Sequence, residues 1–332
     1  MLWLIVLTAS SGLLAGGLGW QYRHWLHVRS QRASAESQIV QTCLGQVEYD
    51  LRGDGPTVLH FHGGNVGHNG WFMLAYLIGA GYRILTPDRP GYLGTPLADN
   101  GSPAAQADLF AALLDTLAID RVAVIGISAG GPAALQFASR HPHRTAAVVL
   151  LSAITQRAAL SEAQLNSTLG RLALSPRFQN IAYFLINQAM KRLPKLALQD
   201  YVRTETTYDM ATGKRFIQQV LEDPNQRQQM IALADAIVPA LPRFDGIAND
   251  LAVQQSLDDL PLDQVKAPTL IIHSQHDGDV PYENATYAEA KIPNAELITV
   301  EQFGHMVWWG DPAITQDFQT RIEAFLHTHF TR

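Results

Sequence analysis

The chain has 332 residues, 47% of them hydrophobic and 16% charged, with a formal net charge of -6. This is ordinary globular composition with ample material for a core, enough for one large domain or two small ones. The acidic balance offers no basic face to a nucleic acid, and a single cysteine, Cys43, cannot form an internal disulfide.

Residues 2–20 carry no charge and are dominated by Leu, Ile, Val, Ala and Gly. That is the length of a helix crossing a bilayer core. Trp3 and Trp20 bracket the run, and Tyr22 and Trp25 follow as interfacial aromatics would. No Lys or Arg precedes it, unlike a secretory signal, whereas Arg23, Arg29 and Arg32 come after it. The expectation is a single-pass membrane anchor with a polar linker, residues 1–38, with a cleaved signal peptide or a buried helix as the alternatives. The positive-inside rule then puts the remaining chain on the cytoplasmic side.

Beyond the linker, residues 39–44 and 46–51 read as a hairpin, and 57–61 as a short apolar strand ending in His62-Gly63-Gly64. Residues 71–78 read as helix, 83–86 as strand, 104–117 as amphipathic helix and 121–127 as a buried strand. A helix over 130–139 and a strand over 146–151 follow. Short apolar runs alternating with helical patterns imply an α/β fold: a mostly parallel, doubly wound sheet with helices on both faces. The alternation stops from 154 to 267, where only helical stretches broken by prolines appear, and resumes with a strand over 268–274. Helix over 287–291, strand over 296–300 and a final helix over 314–330 complete it. One α/β core, residues 39–153 and 268–332, is therefore expected to carry a helical lid, residues 154–267. The apolar stripe Phe178, Tyr183, Phe184, Ile186 and Met190 reads first as core of that lid and second as pocket wall. Trp308 and Trp309 either line the pocket or pack the last helix.

Four motifs carry chemistry. Gly126-Ile127-Ser128-Ala129-Gly130 follows the most apolar strand and opens a helix, the setting of a nucleophile on a sharp turn where side chains at the flanking positions would clash. Gly63 and Gly64 let backbone N–H groups approach a developing oxyanion. The N–H groups of Gly64 and Ala129 are the expected donors, with Asn65 as substitute for the first. His62 reads as a loop-holding residue; His60 and His62 alternate on one strand with His68 nearby, and no third ligand stands at metal spacing to that pair. Asp277 ends a strand where it can reach a histidine on a later loop; Asp279 and Asp250 are the other candidate acids. His305 follows the last strand, so the chain order is Ser, Asp, His.

These residues resemble the α/β-hydrolase superfamily in its capped branch. The match is carried by His62-Gly63, Asp88-Arg89-Pro90-Gly91, the Ser128 turn, Asp277-x-x-Val280-Pro281 and Gly304-His305. The resemblance implies a serine hydrolase with Ser128 as nucleophile, His305 as base and Asp277 as the acid orienting it. It implies no cofactor and a small-molecule substrate carrying an ester-type bond. It leaves open C–C bond hydrolases, lactonases and cofactor-free haloperoxidases. Ser128 argues against relatives that use Asp as nucleophile, and the presence of both nucleophile and base argues against a non-catalytic binding protein.

Overall fold

The structure is a computed structural model that describes residues 19–31, 37–157, 175–301, 303–307 and 311–330. Eight strands form one sheet: β1 (Gln38–Thr42), β2 (Gly45–Arg52), β3 (Thr57–Phe61), β4 (Arg83–Pro87), β5 (Val122–Ile127), β6 (Thr145–Leu151), β7 (Thr269–Ser274) and β8 (Ala295–Val300). Their spatial order is β1-β2-β4-β3-β5-β6-β7-β8. The β1–β2 and β2–β4 pairings are antiparallel and the remaining five are parallel. The helices described are α1 (19–31), α2 (Ala75–Gly79), α3 (Pro103–Thr116), α4 (Gly131–Arg140), α5 (Gln179–Arg192), α6 (Pro194–Glu205), α7 (Met210–Glu222), α8 (Pro224–Ala236), α9 (Phe244–Ser256), α10 (Glu283–Lys291) and α11 (Pro312–His329).

Every residue of β3, β5, β6 and β7 is buried, as expected for parallel strands covered on both faces. Side chains alternate across a strand. Val124 of β5 joins Phe110 of α3 and Phe137 of α4 in one core cluster. Its neighbour Ile125 joins Phe318 and Ile322 of α11 in another. Helix starts are written locally: Ser102 accepts from the N–H of Ala105 at 3.1 Å just before Pro103, and Asp311 caps α11 just before Pro312. One expected helix is divided. Residues 68–79 begin as the 3₁₀ turn His68–Leu74 and become α-helical only at Ala75. The N–H of His68 is satisfied by Asp88, a partner distant in sequence. Between β6 and β7 the described residues hold α5 to α9 and no named strand. Phe216, Val220, Met230 and Leu233 give these helices a core of their own.

The N-terminal expectation is corrected. The anchor expected over residues 2–20 lies outside the described residues except for Gly19 and Trp20. Among the described residues, no helix is long and apolar enough to cross a membrane. Helix α1 carries Arg23, His24, His27 and Arg29; Trp20 is exposed, whereas Tyr22 and Trp25 meet protein. Tyr22 and Trp25 pack edge-on against Phe184 of α5, with ring centroids 5.5 and 5.0 Å away. Trp25 also packs on Tyr183, Val238 and Ala240, and Arg29 pairs with Asp235 at 2.9 Å. Tyr22 and Trp25, read from sequence as interfacial anchors, are helix-packing residues. The single-pass anchor, the membrane attachment through it and the membrane localisation thus have no spanning helix behind them among the described residues.

Candidate active site

Ser128 stands at the end of β5 with φ 50°, a left-handed conformation that non-glycine residues rarely adopt. The flanking glycines make the turn possible. A Cβ on Gly126 would stand 2.7 Å from the Cβ of Ala134, and one on Gly130 would run into the carbonyl oxygens of Phe61 and His62. The chain then passes directly into α4, with Pro132 in its first turn.

His305 Nε2 lies 3.0 Å from Ser128 Oγ, and His305 Nδ1 lies 2.9 Å from Asp277 Oδ2. Asp277 accepts further hydrogen bonds at Oδ1 from the N–H groups of Asp279 (2.9 Å) and Val280 (2.8 Å). His273 Nε2 approaches its Oδ2 at 3.2 Å. Burial alone would raise the pKa of Asp277. The charge of His305 and the hydrogen bonds from His273 and His305 outweigh burial and hold it well below the usual carboxylate range. An ionised carboxylate only accepts, so Nδ1 of His305 carries the proton and Nε2 is left to accept from the serine hydroxyl. Burial would lower His305, but Asp277, Asp279 and Glu205 outweigh it and raise its pKa above the ordinary histidine value.

The other candidate acids lie elsewhere. Asp250, on α9, takes both terminal nitrogens of buried Arg89 at 2.6 Å each and the Tyr92 hydroxyl at 2.5 Å. Asp279 is near His305, but at the nitrogen facing Ser128: its Oδ2 is 3.4 Å from Nε2.

The loop after β3 lies against Ser128, since a Cβ on Gly63 would stand 3.4 Å from that of Ser128. Gly64 follows it, and Ala129 is the middle residue of the 3₁₀ turn Ser128–Gly130. Asn65 has φ 64° and accepts a hydrogen bond from the Tyr183 hydroxyl at 2.5 Å. His62 holds the loop: Nδ1 donates to the carbonyl of Gly63 at 2.8 Å, and Nε2 accepts from the N–H of Arg89 at 3.0 Å. Burial, reinforced by Arg89, keeps His62 well below the ordinary histidine value, and the same causes lower His60 to about 3. Both rings are neutral.

Sequence reasoning missed a set of contacts from the helical insertion. The Glu205 carbonyl, at the end of α6, accepts from the N–H of His305 at 2.9 Å and of Gly278 at 3.1 Å. The N–H of Thr207 donates to the carbonyl of His276 at 2.9 Å, and Thr206 bridges antiparallel to Asp277. The Tyr201 hydroxyl accepts from the N–H of Met306; from the core itself, at the end of β6, Ser152 Oγ donates to the carbonyl of His305. A Cβ on Gly278 would stand 2.7 Å from the nitrogen of Thr206, and one on Gly304 2.8 Å from the Glu205 oxygen. Those two glycines, beside Asp277 and His305, were the available signal of a close approach. Of the apolar stripe, Phe184 packs on α1 and Met190 against the insertion's core. Trp308 and Trp309 lie outside the described residues.

One group of metal-ligand type was also not foreseen. Glu48, His68 and Asp88 are buried, with ligand atoms all within 4.8 Å of one another. Each already has protein partners. Glu48 accepts from Ser37 and from the N–H of Gly94, and Asp88 accepts from His68 at its N–H and at Nδ1, 2.9 Å away. These bonds make the group a structural tie between the β3 loop and the β4 end.

A profile described as the alpha/beta hydrolase fold matches residues 56–312. The chain is 30% identical over 273 residues to an uncharacterized hydrolase, YcgS, of Bacillus subtilis (strain 168), spanning 81% of this chain and 91% of that one. It is 28% identical to the 2-hydroxy-6-oxo-6-phenylhexa-2,4-dienoate hydrolase of Burkholderia cepacia over 77% of this chain and 84% of that one. Among solved structures, an alpha/beta hydrolase fold protein from Nakamurella multipartita superposes with a TM-score of 0.79 at 29% identity. That match covers 87% of this chain and 98% of the other.

Proposed function

The chain belongs to the alpha/beta hydrolase fold family and is a hydrolase, and from that premise we propose that it cleaves an ester-type bond by serine chemistry. His305 takes the proton of Ser128, whose oxygen attacks the acyl carbonyl. The tetrahedral oxyanion rests on the N–H groups of Gly64 and Ala129. His305 then hands its proton to the leaving alcohol, and water releases the acyl group by the same route. Asp277 fixes the ring and its tautomer. The helical insertion serves as lid and wall of the acyl site. The observation that carries this reading is the 3.0 Å contact of His305 Nε2 with Ser128 Oγ while Nδ1 is held by Asp277.

The test is covalent labelling with an uncharged fluorophosphonate, located by mass spectrometry, beside turnover of p-nitrophenyl esters of graded acyl length. Wild type should be labelled at Ser128 and turn esters over, and Ser128→Ala should lose both. Residual turnover in that variant within about tenfold of wild type would remove Ser128 from the mechanism.

A second reading, C–C bond hydrolysis on the same array, is favoured by the likeness to the dienoate hydrolase. Measuring kcat/KM for a dienoate substrate beside the esters decides between them.

A further inference from the structure

Asp279 is not used by the serine mechanism as written, yet its placement bears on it. Its N–H donates to Asp277 Oδ1 at 2.9 Å, so its backbone is tied to the carboxylate that holds His305 Nδ1. Its own carboxylate returns to the opposite side of the same ring, with Oδ2 3.4 Å from Nε2. That nitrogen is also the one 3.0 Å from Ser128 Oγ. His305 therefore has a carboxylate at each nitrogen. Nε2 is where the proton arrives from the serine and where the leaving alcohol must come to collect it.

We propose that Asp279 is a positioning and specificity residue: it stabilises the protonated His305 ring at Nε2 and makes the leaving-group side of the site favour neutral or cationic alcohols over anionic ones. The substrate class rests on the ester reading above. When His305 is neutral, Nε2 accepts from Ser128 and Asp279 has no proton to share with it. Once the proton has moved, Nε2–H faces both the serine oxygen and Asp279. The carboxylate thus favours the charge that forms during attack, and it also raises the pH at which the resting ring gives up its proton. An anionic leaving group must approach the same carboxylate and is repelled. The Asp279 side chain is one-quarter exposed, so water softens the effect without removing it.

The other groups facing this ring are Asp277 at Nδ1, His273 behind Asp277, Glu205 at the end of α6, and Tyr201 through the N–H of Met306. Glu205 feels Asp279 directly: burial and the Asp279 charge push its carboxyl up to about 7. The negative field of Asp279 therefore extends to the insertion that walls the site.

The experiment uses the full chain and the variants Asp279→Asn and Asp279→Ser, with thermal unfolding to confirm that each is folded. The first readout is the pH dependence of Ser128 labelling by an uncharged fluorophosphonate. Its acid limb is expected to fall by about one pH unit in both variants, which corresponds to losing one nearby charge. The second is kcat/KM for acetate esters of a quaternary-ammonium alcohol, its neutral carbon isostere and a carboxylate-bearing alcohol of similar size. Wild type should disfavour the carboxylate ester by about tenfold against the isostere, and Asp279→Asn should bring the two within about threefold. An acid limb that stays in place, or an anion penalty that survives the substitution, overturns the assignment. Labelling needs no natural substrate. A protein labelled at Ser128 that turns over no ester would therefore sink the ester reading, while the labelling limb still judges Asp279.

Discussion

Replacing Asp250 by alanine should damage the fold far more than an ordinary substitution, because of what it leaves behind. The Arg89 side chain is 1% exposed. Its two terminal nitrogens each meet an Asp250 oxygen at 2.6 Å, and its Nε donates to the carbonyl of His62 at 2.8 Å. Without the carboxylate the guanidinium stays buried with that main-chain oxygen as its remaining hydrogen-bond acceptor of those three. Breaking a buried pair from one side typically costs about 3–5 kcal/mol. The Tyr92 hydroxyl loses the same carboxylate as its acceptor and keeps the hydrogen bond from the backbone of Asn65, a loss of about 1 kcal/mol when counted alone. The two losses share one partner and do not add, so the upper part of the first range is expected. In a protein of this size each kcal/mol moves Tm by about 2–4 °C, so calorimetry should record a fall of roughly 10 °C or more. The double variant Arg89→Met, Asp250→Leu removes both charges and should recover most of the loss. A fall in Tm below about 4 °C for Asp250→Ala, or a double variant no more stable than the single one, would refute the account.

Asp277→Asn should leave the protein folded but lower its Tm, since a buried carboxylate held below its ordinary range stabilises the folded state above that range. It should also lower the rate of Ser128 labelling by roughly a thousandfold or more, since the amide presents an N–H to His305 and favours the wrong tautomer; a labelling loss under about tenfold would refute it. The carboxylates around His305 raise its pKa, so the unprotonated base should accumulate only above the ordinary value of about 6.5, and the acid limb of kcat/KM should lie above it. The same shift has the opposite sign for stability. The charged ring stabilises the fold below the unfolded value, and that contribution is lost as pH rises through the folded one, so Tm should decline across the limb where activity rises. A limb at or below about 6.5, or a Tm that climbs across it, would contradict the field assigned to these carboxylates.

The sheet was legible in the sequence because each central strand is a short apolar run buried on both faces, bounded by turn residues. The proposed site was legible for a related reason. A serine on a tight turn cannot exist without small neighbours, so Gly126 and Gly130 record the backbone's requirement in the sequence. The choice among acids was not fixed by pattern. Asp250 and Asp277 both follow apolar segments, and only the fold delivers Arg89 to one and His305 to the other. The reading of α1 failed for a deeper reason. Aromatic residues interleaved with arginine look the same at a lipid interface and at a protein one. The partners here, Phe184 and Asp235, are distant in sequence, and hydrophobic pattern does not say which apolar phase a residue will meet.

The contacts between insertion and core bear on the proposed reading of the insertion as a lid. A hinged cover would touch the core through side chains that separate when it opens. Here residues 205–207 join the loops of Asp277 and His305 through main-chain hydrogen bonds and a β-bridge, and the Glu205 carbonyl holds the N–H of His305 itself. Main-chain bonds do not depend on which side chain stands at 205 or 206. They depend on the absence of one at Gly278 and Gly304, where a Cβ would strike that segment. A rigid opening of the whole insertion would therefore pull on the backbone of the histidine and loosen its 3.0 Å approach to Ser128. The insertion is tied to the β3 loop as well: the Tyr183 hydroxyl donates to Asn65, buried Arg243 donates from Nε to the carbonyl of Val66 at 2.9 Å, and Asn69 Nδ2 donates to the carbonyl of Ala236 at 2.9 Å. Helix α5 is held in turn by Asn180, which accepts from the N–H groups of Ala240 and Leu241, by Asn187, which donates to the carbonyl of Ala234, and by α1 on its outer face through Trp25 and Phe184. The end of α6 belongs to the frame that holds the backbone of His305, because the Glu205 carbonyl accepts from the N–H groups of both Gly278 and His305.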